Sequence, residues 1–280
     1  MTSVSTLQPE TFFADPVHDP FVLGDGPIGL LMLHGFMGTP AEFRPLAHEL
    51  IQTGQITCYA PLLPGFGRQV NRLPQQRAAD WIIAAQNAWR EIRHRHPTAI
   101  LLGYSMGGAL AVLTAADTLP TRLILLAPFS RLLPGDWRAR LLPLIRWIVP
   151  SIRPFAQMDF DDPETRRFFA ESMPGLNIDD PTVREGLRNV RFPLAVLDEL
   201  RKVGLQALRA AARIACPTLV IQGTLDTTVP PATTRALIQR MPAPVTWHDL
   251  PTDHTLLAPD RPFWAELVTL IQCFAVGELT

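Results

Sequence analysis

Six short apolar runs, at 28–33, 56–60, 99–102, 123–127, 218–221 and 245–250, are spaced along the chain by longer segments, several with helical apolar period. A strand with one wet face alternates apolar and polar side chains. These runs are largely continuous, so they read as buried strands. The helical segments fall at 41–52, 80–94, 106–118, 232–240 and 262–274. Strand followed by helix, repeated, implies an α/β fold with a mostly parallel sheet covered by helices on both sides, and ligands of such sheets bind beyond the carboxyl ends of the strands.

The alternation breaks at 128–213. This stretch is rich in Pro, Arg, Leu and aromatics, too long for a plain connection and too apolar for a disordered linker. It is expected to be a mainly helical cap inserted over the sheet, with 1–127 and 214–280 forming one core. The Arg/Leu/Trp-rich segment 138–149 within it either faces lipid as a lid or packs into the core. A length of 280 residues suits one such domain.

With 47% hydrophobic residues and a formal charge of -1, the chain has no electrostatic reason to bind nucleic acid. Lys202 is the only lysine beside 24 arginines, and prolines number 28; together they suggest base composition and some restraint of the unfolded chain. Cys58, Cys216 and Cys273 are odd in number and far apart, which indicates neither a disulfide framework nor a metal site and fits a reducing cytoplasm. The first residues lack the basic start and apolar core of a signal peptide, and no run approaches the roughly 18 apolar residues of a membrane span.

Chemistry concentrates at Gly103-Tyr104-Ser105-Met106-Gly107-Gly108, directly after one apolar run and before an Ala/Leu-rich helix. G-x-S-x-G in that strand-turn-helix context lifts a serine hydroxyl clear of the sheet and aims a helix N-terminus at developing negative charge. Ser105 is the expected nucleophile. Two oxyanion donors are expected: the Met106 amide, and the Phe36 amide in the loop Leu33-His34-Gly35-Phe36-Met37-Gly38, which Thr39-Pro40-Ala41-Glu42 holds against a marked helix start. His34 could be taken for a base, but bracing that loop is the reading preferred for it.

A serine hydroxyl needs an imidazole to accept its proton. Of seven histidines, His254 lies between the last strand and the last helix, where the order serine, acid, histidine places the base. His248 within the preceding strand is the rival. Asp226, after the 218–221 strand, is the expected orienting acid, although a turn aspartate capping the next helix would look the same. Asp253 is a competing charge, poorly directed because it adjoins His254.

The segments LLMLHGFMGTPAEFRPLAHEL, YAPLLPGFG, Asp80-Trp81, GYSMGG, QGTLDTTVP and Asp253-His254 together resemble an α/β-hydrolase of the carboxylesterase and monoacylglycerol lipase-like branch, over most of the chain outside the first 25 or so residues and the cap. The resemblance implies ester hydrolysis through an acyl-enzyme on a small-molecule ester, without a cofactor, with Ser105, Asp226 and His254 as triad and Phe36 and Met106 as oxyanion donors. Relatives often carry a small residue where this chain has Asp253. Dehalogenases and epoxide hydrolases would need Asp at position 105. Carbon-carbon bond hydrolysis, perhydrolysis, acyl transfer and a ligand-binding receptor remain open alternatives.

Overall fold

The computed structural model describes residues 9–132, 141, 144–145, 148–173 and 175–278. Its centre is a seven-stranded sheet of β1 (Phe21–Leu23), β2 (Ile28–Leu33), β3 (Ile56–Ala60), β4 (Thr98–Tyr104), β5 (Arg122–Leu126), and, after the insertion, two more strands given below. A two-stranded ribbon within the insertion, β6 (Ser151–Ile152) and β7 (Phe192–Pro193), is antiparallel. β8 (Thr218–Gly223) and β9 (Val245–Leu250) complete the main sheet in the order β1-β3-β2-β4-β5-β8-β9. Only the edge strand β1 runs antiparallel to its neighbour. The mostly parallel sheet of the expected fold class is therefore present.

The apolar runs read as continuous because successive side chains enter two different cores. Leu31, Leu33, Leu101, Leu123, Leu125 and Val220 enter one cluster; Leu30, Met32, Ile100, Leu102, Ile124 and Ile221 enter the other. On the second side lie α1 (Arg44–Leu50), through Leu46 and Leu50, and the C-terminal helix, through Leu267, Ile271 and Phe274. On the first side lie α2 (Ala78–Arg95) and α3 (Met106–Asp117). Trp81, Ala85, Trp89 and Ile92 of α2 recur at helical spacing and are all buried. α3 is buried along ten consecutive residues, Met106 to Ala115, because it is walled in by the sheet, α2 and the last helix of the insertion.

The insertion contributes α4 (Pro163–Ser172), α5 (Pro181–Asn189) and α6 (Leu194–Ala210). Asp162 and Asp180, each before a proline at the first helical position, accept the Thr165 and Thr182 amides at 2.9 and 2.7 Å, which starts α4 and α5. α6 packs on α3, and its Val196, Val203 and Ala207 belong to the first core. α4 and α5 instead bury Phe160, Phe169, Met173, Ile178 and Leu187 in a third cluster that also takes Phe12 and Phe13 from the N-terminal arm. The segment 138–149 lies largely outside the described residues. After β8 come α7 (Pro231–Ile238), β9 and α8 (Trp264–Val276).

Two local readings change. The segment 41–52 is not one α-helix: a 3-10 turn at Pro40–Phe43, α1, and a second 3-10 turn at Ile51–Thr53 follow one another, with Pro45 in the first turn of α1. β1 and a 3-10 stretch at Gly67–Gln75 had no clear sequence signal. β1 has only three residues, none buried, on an edge where no periodicity is enforced.

Candidate active site

β4 ends at Tyr104 and α3 begins at Met106, so Ser105 alone must reverse the chain. It does so at φ 52°, ψ −117°, a backbone region costly for any side chain and held here by its surroundings. The Ser105 N–H donates to the Leu126 carbonyl at 2.9 Å, and the Ser105 carbonyl accepts the Phe129 N–H at 2.9 Å. The Ser105 turn is thus tied to the end of β5. Such a turn leaves no room beside it: a Cβ at Gly103 would lie 2.2 Å from the Gly107 carbonyl oxygen, and one at Gly107 would lie 1.8 Å from that of Leu33.

His254, on the loop after β9, reaches across to this turn. Its Nε2 is 3.0 Å from Ser105 Oγ and its Nδ1 is 2.7 Å from Asp226 Oδ2. A carboxylate oxygen only accepts, so Nδ1 carries the proton and Nε2 offers its lone pair to the hydroxyl. Asp226 is itself fixed. Its Oδ1 accepts the Thr228 and Val229 amides at 2.9 and 2.8 Å, and its Oδ2 accepts Gln222 Nε2 at 3.2 Å. Gln222, fully buried, is held in turn by donation to the Val229 carbonyl and by the Thr234 hydroxyl. Nothing in the local sequence marks Gln222 beyond its place at the end of a strand.

The two rivals sit elsewhere. His248 pairs with Glu266 on the surface at 2.7 Å. Asp253 turns to Thr255, whose amide it accepts at 2.9 Å and whose hydroxyl it also binds, and to Arg261 at 3.4 Å. Partial burial would raise the Asp253 pKa, but the Thr255 hydrogen bonds and the Arg261 charge outweigh it and hold the carboxyl below its usual range.

The loop after β2 carries Phe36. The Gly38 amide donates to the Gly35 carbonyl at 3.2 Å, closing a turn in which Met37 takes φ 67°, the left-handed position that a type II turn normally gives to glycine. Three contacts fix it. Glu42 accepts the Gly35 amide at 3.1 Å. His34, fully buried, accepts the Leu63 amide on Nε2 at 3.0 Å and therefore donates from Nδ1 to the Gly35 carbonyl at 2.9 Å. The Phe36 ring packs edge-on against Phe66, Trp81 and, from the insertion, Phe192, at 5.6 to 6.3 Å between centroids. Burial pulls the His34 pKa down to about 4, against the smaller opposing effect of its bond to Gly35. It is a neutral brace. Met106 supplies the first amide of α3, one of the donors that an α-helix leaves without an intrahelical acceptor.

No group of three or more His, Cys, Asp or Glu among the described residues is placed to hold a metal ion. No helix among them is long and apolar enough to cross a membrane.

The model of the Hydrolase_4 family, described as serine aminopeptidase, S33, matches residues 29–253. A thermostable monoacylglycerol lipase of Bacillus sp. (strain H-257) is 28% identical over 226 residues, 79% of this chain and 79% of the relative. A carboxylesterase of Bacillus subtilis (strain 168) is 29% identical over 94 residues, 33% of this chain and 38% of the relative. Among solved structures, one from the work on the metagenome-derived lipolytic enzymes LipS and LipT superposes with a TM-score of 0.70 at 22% identity, covering 94% of this chain and 98% of that one. The Paleococcus ferrophilus monoacylglycerol lipase gives 0.68 at 18% identity, over 92% and 99%. These likenesses place the chain in the α/β-hydrolase fold.

Proposed function

Since the chain belongs to the Hydrolase_4 (serine aminopeptidase, S33) family, we propose that it is a serine hydrolase of carboxylic esters in which Ser105, His254 and Asp226 form the catalytic triad. The observation that carries this reading is the unbroken line from Ser105 Oγ to His254 Nε2 at 3.0 Å and from Nδ1 to Asp226 at 2.7 Å. His254 takes the hydroxyl proton as Oγ attacks the ester carbonyl. The carbonyl oxygen gains the negative charge, and the Phe36 and Met106 amides are the donors that hold it. When the tetrahedral intermediate collapses, the C–O bond breaks and the alcohol leaves with the proton from His254. Water, deprotonated by the same imidazole, then attacks the acyl-enzyme and releases the acid.

Asp226 keeps the proton on Nδ1 and balances the imidazolium that forms at each step. The names of the relatives, a monoacylglycerol lipase and a carboxylesterase, favour an oxygen ester over a peptide bond. An apolar acyl chain is the favoured substrate part, because Phe36 and Phe192 bring aromatic surface to the oxyanion loop from core and insertion together. Three free cysteines, two of them buried, support a reducing, cytoplasmic setting.

The test is a panel of p-nitrophenyl esters of increasing acyl length, beside an aminoacyl p-nitroanilide. Ester turnover that Ser105→Ala lowers by at least about a thousandfold is expected, with an unchanged far-UV spectrum. Turnover retained in Ser105→Ala, or confined to the anilide, would overturn the proposal.

A further inference from the structure

We infer that Tyr104 is a positioning residue for the base, holding His254 from below while Asp226 holds it from the side; this rests on the triad reading above. Three contacts place it there. Its ring stacks on the His254 imidazole with 5.2 Å between centroids and 28° between planes. Its hydroxyl donates to the backbone carbonyl of His254 itself at 2.6 Å. Its Cδ1 lies 3.5 Å from where a Cβ on Gly35 would stand, so the same ring underlies the oxyanion loop.

Tyr104 is therefore the floor on which the base loop and the oxyanion loop meet, one residue before the nucleophile. A role in packing alone would need the ring but not the phenol, since phenylalanine has the same apolar volume. The hydroxyl fixes the main chain of residue 254, the ring face limits rotation of the imidazole, and Asp226 fixes Nδ1. Together these restraints leave Nε2 aimed at Ser105 Oγ. A base displaced by about 1 Å can cost about a hundredfold in rate.

The experiment compares wild type, Ser105→Ala, Tyr104→Phe and Tyr104→Leu on one p-nitrophenyl ester, with kcat expressed per active site titrated to completion by a fluorophosphonate, except for Ser105→Ala, which lacks the titrated hydroxyl and is expressed per mole of protein. Removing the phenol alone should lower kcat by about threefold to tenfold, the range of one hydrogen bond. Tyr104→Leu, which also loses the stack, should lower it by about a hundredfold. KM should move less than about twofold in both, and the initial rate of fluorophosphonate labelling should fall in step with kcat. If Tyr104→Leu does not fold, Tyr104→Phe carries the test. Wild-type kcat per titrated site in either folded variant overturns the inference, as does a loss that titration fully accounts for. Turnover surviving in Ser105→Ala overturns the triad reading instead, and the inference with it.

Discussion

The sheet and the outer insertion are held together by different means. In the sheet, apolar side chains interlock on both faces and backbone passes within contact distance of backbone, so that the Ser105 turn has no free volume at Gly103 or Gly107. Around α4 and α5 a single aromatic cluster, Phe155, Phe160 and Phe169, is shared with Phe12 and Phe13 of the arm, and exposed Arg–Asp pairs surround it. One region is over-determined and the other hangs on a few large side chains. A turn held at an unfavourable φ, as at Ser105, needs the first kind of support; a covering layer does not.

That contrast should be measurable. The largest effect is expected from Gly107→Ala, whose methyl would enter the Leu33 carbonyl, a backbone atom that cannot yield. A loss above about 5 kcal/mol, leaving little folded protein, is expected in urea unfolding. A soluble variant with wild-type stability would show the turn to be looser than described. Next, Phe169→Ala removes a ring that is 1% exposed and touches three others. A loss of about 4 kcal/mol is expected, felt locally. Hydrogen exchange should quicken across 155–189 while the amides of β2, β4 and β5 keep their protection. Uniform loss of protection would merge the two regions into one cooperative unit.

Acid should act on the sheet side through His34. With its pKa at about 4 in the folded chain and the ordinary 6.5 when unfolded, the unfolded state binds the extra proton between these values. The stability from neutral burial is complete above pH 6.5 and is lost as pH falls towards 4, by about 3 kcal/mol. Urea midpoints at pH 7 and 4.5 should show the drop, and His34→Gln should flatten it. The smallest effect is expected from Arg166→Gln, which breaks an exposed bidentate pair with Asp179. No resolvable change in melting temperature is expected; a clear fall would mean that the pairs hold the insertion more than its rings do.

The legible parts of this sequence were those where one constraint dominates. Five strands could be read because double burial makes them mostly apolar, whereas the edge strand β9 buries only Leu250 and departs from that expectation; Ser105 could be read because few backbones tolerate its turn without glycine at 103 and 107. Asp226 and His254 could be singled out by chain order, and the two side chains are hydrogen-bonded in line with Ser105 Oγ. Gln222 and Tyr104 could not. Their partners lie 4 and 150 residues away, and a polar or aromatic residue at a strand end announces no contact. Met37 hid its positive φ behind a residue type that seldom adopts one. In the insertion, the aromatic cluster with the arm joins residues 12 and 13 to 155–187 and leaves no spacing to find.

The hydrogen bond from the Phe129 amide to the Ser105 carbonyl has a practical consequence for recombining such proteins. Residues 127–130 lead from β5 into the insertion, and the third of them, Phe129, braces the Ser105 turn. An exchange of this insertion between relatives cut at 127 would hand that brace to whatever residue the donor places at 129, and a proline there would remove it. The same exchange cut after Ser130, whose hydroxyl reaches the Thr233 carbonyl at 3.4 Å, would keep the recipient's turn intact and alter only what covers it.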